Sequence, residues 1–137
     1  MKLRLNAPCP CHSGKKTKSC CGPVLRGQPA PTPEALMRSR YAAYALGAVG
    51  HIVRTTHPDS PHFRADAAQW HEELEEFCRS TRFASLTVHS SQSDPPHGEV
   101  HFTAGLIHNG NPSPMIERSA FERINGRWLY HSGLPLS

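Results

Sequence analysis

The sequence predicts an α+β domain of about three helices packed on an antiparallel four-stranded sheet, preceded by a small cysteine-rich knot. Three observations carry this. Apolar residues recur at spacings of three and four between residues 33 and 79, the hydrophobic period changes to two after residue 81, and four of the five cysteines fall within residues 9–21. At 137 residues the chain is sized for one core plus an appendage.

The appendage comes first. Residues 9–22 read CPCHSGKKTKSCCG, too poor in apolar groups to build a core, so something other than hydrophobic burial must hold them. Cys9 and Cys11 lie one residue apart, and the adjacent pair Cys20 and Cys21 follows after eight residues. That loop is long enough to bring both pairs around one tetrahedral Zn²⁺, with Zn–S near ~2.3 Å. Ser13 and Gly14 supply a turn, while Pro8 and Pro10 stiffen the first pair. Disulfides joining Cys9 to Cys20 and Cys11 to Cys21, or the crossed pairs, are geometrically conceivable, whereas bonds within the C-P-C or vicinal C-C pairs would be strained, and clustered thiols in a reducing compartment more often bind metal. No CxxC opens a helix after a strand, as a redox pair would require, and four cysteines leave no open coordination position for catalysis. One structural zinc ion is therefore expected, its binding free energy serving as folding free energy. Cys78 reads as a small buried residue, and His12 as a solvated loop residue.

The knot spans residues 1–22, the Pro- and Gly-rich residues 23–33 read as a linker, and residues 34–137 form the body. Thr32 is the expected N-cap of the first helix, with Pro33 at its first position; Leu36, Met37, Tyr41, Tyr44 and Ala45 form its apolar stripe, and Gly47 ends it. A short second helix covers about residues 49–55, stopped before Pro58. Asp66 and Gln69 open a third over about residues 67–79, with Trp70, Leu74, Phe77 and Cys78 on one face and a solvated run of Glu72, Glu73, Glu75 and Glu76 on the other. Four strands follow, Phe83–Ser91, Glu99–Asn109, Met115–Asn125 and Arg127–Ser132, separated by SDPPHG, NGNPSP and the tight Asn125-Gly126 turn.

Charge is unevenly placed. Residues 1–30 hold six cations and no acid, whereas the rest holds nine arginines against eleven acids. Lys15, Lys16 and Lys18 lie between the cysteine pairs, and a basic face survives metal binding because four thiolates and a divalent ion carry only −2. An anionic partner for the appendage follows: RNA, the ribosome or an acidic protein surface. The bland alternative is a solubilising tail. No apolar run approaches the roughly 20 residues needed to span a bilayer, and no apolar segment with a cleavage site opens the chain, so a cytoplasmic protein with no membrane partner is expected.

The string C-P-C-x-S-G-K-K-x-K-x-C-C closely resembles the SEC-C motif, a small zinc-binding module found at the C-terminus of the SecA translocation ATPase and in other bacterial proteins. Downstream, LMRSRYAAYALGAVGHIVRTTHP and IERSAFERINGRWLYHSG resemble the YchJ-like family, in which a SEC-C segment precedes a nuclear-transport-factor-two-like or SnoaL-like domain. The resemblance implies a cystatin-like cone, a curved sheet wrapped around its helices. It also implies contacts of the module with ribosomes or the chaperone SecB.

Alternation places Val100, Phe102, Ala104 and Leu106, then Glu117, Ser119 and Phe121, then Trp128 and Tyr130 on shared strand faces. If these faces point inward, Tyr44, His57, Glu117, Trp128 and Tyr130 are the pocket candidates. A carboxylate among aromatics is a candidate general acid or base, and His57, before Pro58, is the first choice for its partner, with His101 second. The structural alternative pairs Glu117 with Arg40 or Arg118. Function is thus expected to be zinc-dependent and non-enzymatic, the basic module docking on a macromolecule and the cone holding a small ligand. The alternative is a hydratase, isomerase or hydrolase using the cone pocket.

Overall fold

In the computed structural model, which describes residues 3–134, Thr32 caps the helix expected after it. Its hydroxyl accepts from the Ala35 amide at 3.0 Å, and Gly47 closes the helix in the left-handed conformation at φ 73°. The helices are α1 Gly22–Leu25, α2 Pro33–Leu46, α3 Val49–Arg54 and α4 Ala67–Ser80. The strands are β1 Thr81–Asp94, β2 His97–His108, β3 Asn111–Pro112, β4 Met115–Ile124 and β5 Arg127–Leu134. Asp66 caps α4 by accepting from the Gln69 amide at 3.1 Å.

The four long strands pair antiparallel in the order β1-β2-β4-β5, and the two-residue β3 pairs with β2. Short β3 was not foreseen; Pro112 and Pro114 flank a stretch with no alternation to betray it. Register shifts at Phe83/Ser85 and Val88/Ser90 in β1, and at His131 of β5 opposite Ala120/Phe121, mark bulges that bend the sheet. The first of them changes which residues of β1 face inward, so Phe83 and Leu86, an odd and an even position, both oppose the inward row of β2 at Leu106 and Ala104. The expected inward faces of β2, β4 and β5 hold, with Val100, Phe102, Ala104, Ser119, Phe121, Trp128 and Tyr130 buried.

Helix α2 fills the concave side of the sheet, burying Leu36, Met37, Ser39, Arg40, Tyr41, Ala42 and Ala43. Residues 55–57 run parallel to β5: the His57 amide donates to Tyr130 O and the Tyr130 amide to Thr55 O, both at 2.8 Å. Of α4 only Trp70 is buried, so this helix forms an outer wall rather than core. The segment expected as a linker is packed. Its Val24, Leu25 and Ala30 join Cys9, Cys11 and Cys21 in the same apolar cluster as Leu36 and Tyr41. One helical turn of GPVL achieves this, which no periodicity in four residues could announce.

Candidate functional site

The knot is a short hairpin. Cys9 N–H donates to Lys15 O at 2.8 Å and Thr17 N–H to Ala7 O at 3.0 Å, while His12 and Gly14 turn the tip at φ 61° and 86°. A 3-10 turn over Thr17–Ser19 then delivers Cys20 and Cys21 opposite the first pair. Gly22 is required where the chain leaves, because a Cβ there would lie 2.8 Å from Thr17 O.

All four sulfurs lie within 4.8 Å of one another, with Cys11–Cys20 at 3.5 Å and Cys20–Cys21 at 3.9 Å. These separations exceed a disulfide's ~2.05 Å and bracket the ~3.8 Å edge of a sulfur tetrahedron whose centre is ~2.3 Å from each corner. The set fits a metal ion. Among the bare thiols, hydrogen bonding to Cys21 and then Cys9 pulls the Cys11 pKa well down, the bonds of Cys21 to Cys11 and Cys9 push its own up, and the bond to Cys11 pushes Cys9 up to about 11. Four like charges this close cannot coexist without a cation. Ser13 Oγ lies 3.1 Å from Cys20 Sγ, and Arg38 reaches across from α2, its Nη1 donating to Cys11 O at 3.3 Å and to Cys11 Sγ at 3.9 Å. Arg38 is itself held by Glu34 at 2.9 Å.

Further bonds fasten the knot to the body. His12 Nε2 donates to Phe83 O at 3.1 Å and its ring meets Tyr41 edge-on at 5.7 Å; Arg127 ties down the segment that follows the knot, donating to Gly27 O at 3.1 Å. His12 is exposed, as expected of a loop residue, yet it ties the knot to β1. Lys15, Lys16 and Lys18 are all exposed and make no salt bridge among the described residues.

Between α2, α4 and the sheet lies a cavity of about 360 Å³. Its depth is aromatic, with Tyr41, Tyr44, Phe83, Phe102, Phe121 and Tyr130, and His62, Arg64, Glu73, Phe77 and Met115 surround its open side. Besides the exposed Arg64 and Glu73, two charged groups line its depth. Glu117 accepts from Ser119 Oγ at 2.6 Å and from the Tyr130 hydroxyl at 3.4 Å. Arg40 is only 9% exposed, its guanidinium lying 4.7 Å from the Tyr130 ring centroid. Its Nη1 donates to Ile52 O, Thr55 Oγ1 and Thr56 Oγ1 at 3.1, 2.8 and 3.2 Å. Burial pulls the Arg40 pKa down and pushes those of Tyr44 and Tyr130 up, so both phenols stay neutral donors.

The structure brings Tyr44, Glu117 and Tyr130 together around this cavity but not His57 or Trp128. His57 faces away: it is buried against His131 at 4.8 Å between ring centroids, accepts from the Asp59 amide at 2.9 Å, and turns Nε2 toward Glu122 at 3.5 Å. Thr56 and His57 are successive residues of an extended segment, so when Thr56 lines the cavity His57 must point the other way. Trp128 is buried at the opposite end of the core, where it lines a second cavity with His51 and Arg54. The His101 ring meets that of His89 at 4.9 Å between centroids, tilted by 56°, away from the cavity. Among the described residues Glu117 is held by the Ser119 and Tyr130 hydrogen bonds, and Arg40, the first arginine expected as its partner, acts on it through space. Arg40 was foreseen only as that partner. Its place among Met37, Tyr41 and Tyr44 on the apolar stripe of α2 was the signal that it would be buried.

A curved antiparallel sheet wrapped over α2 and α4, with a four-cysteine knot fastened to its first strand, defines an NTF2-like domain carrying a SEC-C motif. A SEC-C motif-containing protein from Rhodopseudomonas palustris has this structure, with a TM-score of 0.80 and 36% identity over 96% of this chain and all of that one. A SEC-C motif-containing protein from Psychrobacter arcticus shares the fold at TM-score 0.72 and 22% identity, covering 98% of this chain and 86% of its own. Residues 32–133 match the family described as YchJ, middle NTF2-like domain, and the chain belongs to it. A UPF0225 protein of Deinococcus radiodurans is 42% identical over 90% of this chain and 85% of its own length. No helix among the described residues is long and apolar enough to cross a membrane.

Proposed function

We propose that the chain is a zinc-stabilised, non-enzymatic binding protein whose cone cavity receives a small ligand. The observation that carries this is a cavity of about 360 Å³, the size of small-molecule sites, lined by aromatic walls with a few polar groups. An acid–base enzyme would need two titrating groups converging on one reacting atom. His57 and Glu117, the pair nominated for that, face different sides of the chain. Zinc fits the knot because a closed set of four thiolates suits a borderline-soft tetrahedral ion, which there supplies a cross-link and no chemistry. The test is titration of the metal-loaded chain with a fragment library, monitored by amide shifts around Tyr130 and by Trp70 fluorescence. Saturable binding without turnover supports the proposal; absence of any ligand, or conversion of one, refutes it.

A second contact is favoured by the exposure of Lys15, Lys16 and Lys18 beside buried sulfurs: the knot docks on an anionic macromolecule, ribosome, RNA or an acidic protein such as a chaperone. Co-sedimentation with ribosomes should weaken as salt rises and disappear when the three lysines become glutamate. Unchanged sedimentation of that variant removes the ribosome from the list.

A further inference from the structure

Arg40 poses a question that its fold role does not answer. A guanidinium carries five N–H donors, and burying one without partners is costly. Three acceptors gather on Nη1, all from residues 52–56. Nε and Nη2 make no hydrogen bond to a described residue, although Arg40 is 9% exposed and lines the cavity. Those two atoms form the side of the fork that matches the two oxygens of a carboxylate. Tyr44 adds to this. Its ring packs on Phe77 and Phe83 along the cavity wall, its hydroxyl has no described partner, and burial keeps the phenol protonated.

The charge present also limits the ligand. Glu117 shares the cavity, and its two described hydrogen bonds come from Ser119 and Tyr130 on the protein side, leaving acceptor capacity for a donor in the cavity. In the depth of the cavity one buried cation is opposed by one carboxylate, and the exposed Arg64 and Glu73 at its open side offset each other, which suits a monoanion and disfavours a dianion such as a phosphate monoester.

Resting on the ligand-binding function proposed above, we infer that the cavity takes a small organic monocarboxylate with an apolar body and a hydrogen-bond donor away from its acid group. The carboxylate sits on Nε and Nη2 of Arg40 with the Tyr44 hydroxyl, the body lies among Phe83, Phe102 and Phe121, and the donor, a hydroxyl or ammonium, meets Glu117.

The test uses the full metal-loaded chain and matched acid–amide pairs, from propionate to indoleacetate, with para-hydroxyphenylacetate beside phenylacetate to probe the donor. Amide shifts at Tyr44 and Tyr130 report occupancy. Each acid that binds should do so about 10-fold or more tightly than its neutral amide, the discrimination expected of a charge-assisted fork. Para-hydroxyphenylacetate should outbind phenylacetate, and Glu117→Gln should shrink that difference while leaving acid-over-amide discrimination in place. Arg40→Lys should abolish the acid preference; if it fails to fold, the ligand series on the unaltered protein still decides. Equal binding of acids and amides overturns the carboxylate inference and leaves a ligand-binding cavity standing. Failure of every compound to shift the cavity residues up to about 10 mM, an affinity below any useful site, overturns both.

Discussion

Replacing Cys20 with serine isolates what the metal contributes to folding. Cys20 is the least buried of the four ligands, so the substitution disturbs packing little while removing one thiolate in four. Three sulfurs and a hydroxyl hold a soft metal ion poorly, and the binding free energy withdrawn is folding free energy for the knot. The body is affected because Val24 and Leu25, 7% and 3% exposed, lie in one cluster with Cys9, Cys11 and Cys21. Uncovering two such side chains costs about 1.5–3 kcal/mol each, or about 3–6 kcal/mol together. In a chain of this length 1 kcal/mol moves the melting temperature by about 3–5 °C, so a fall of about 9–30 °C is expected. Circular dichroism melting of the variant, and of the unaltered protein with a strong chelator, should agree, while native mass spectrometry counts metal. A variant that loses its ion yet melts within about 2 °C of the parent would show that the knot is not part of the cooperative unit, and the reasoning would fail.

Three further perturbations have defined signs. His51 is buried with Nε2 donating to Ser39 Oγ at 2.9 Å, because the Ser39 proton is committed to Leu36 O at 2.7 Å. Burial, then the charges of Arg40 and Arg54, lower its pKa from 6.5 to about 4. Between those values the unfolded chain takes the proton and the folded one does not, so stability is complete above about pH 6.5 and falls by up to about 3 kcal/mol on acidification toward pH 4. Urea midpoints measured across that window should lose most of this His51-linked slope in His51→Gln. Gly22→Ala forces a Cβ to within 2.8 Å of Thr17 O; a loss of about 1–3 kcal/mol, with weaker metal retention in chelator competition, is expected. Thr32→Ala removes the acceptor for the Ala35 amide and should cost about 1 kcal/mol in denaturant unfolding without changing metal content.

Much of this protein is written in short-range pattern. Caps at Thr32 and Asp66, the αL glycine at 47, the alternation along β2, β4 and β5 and the tight Asn125-Gly126 turn depend on residues a few positions apart. The four metal ligands are equally local, because they fall within thirteen residues and their chemistry admits few partners. Alternation put Glu117, Tyr130 and Trp128 on candidate inward faces but did not say which of them meets the cavity: Glu117 and Tyr130 do, and Trp128 does not. What the tertiary structure decided depends on chain segments meeting at long range. A one-turn helix at Gly22–Leu25 gains its burial only from α2 and the knot, so the linker expected from its prolines is packed. His57 was nominated by its place before a proline, but the pairing of residues 55–57 with β5 turns Thr56 inward and His57 toward Glu122. Arg40 is the clearest case. From the sequence it stands only as a partner for Glu117, although its helical spacing puts it beside the apolar stripe; only the meeting of α2, the 52–56 segment and β5 decided which nitrogens are satisfied and which are left facing the cavity. Local propensity fixes where a side chain starts, and the long-range pairing of strands and helices fixes what it meets.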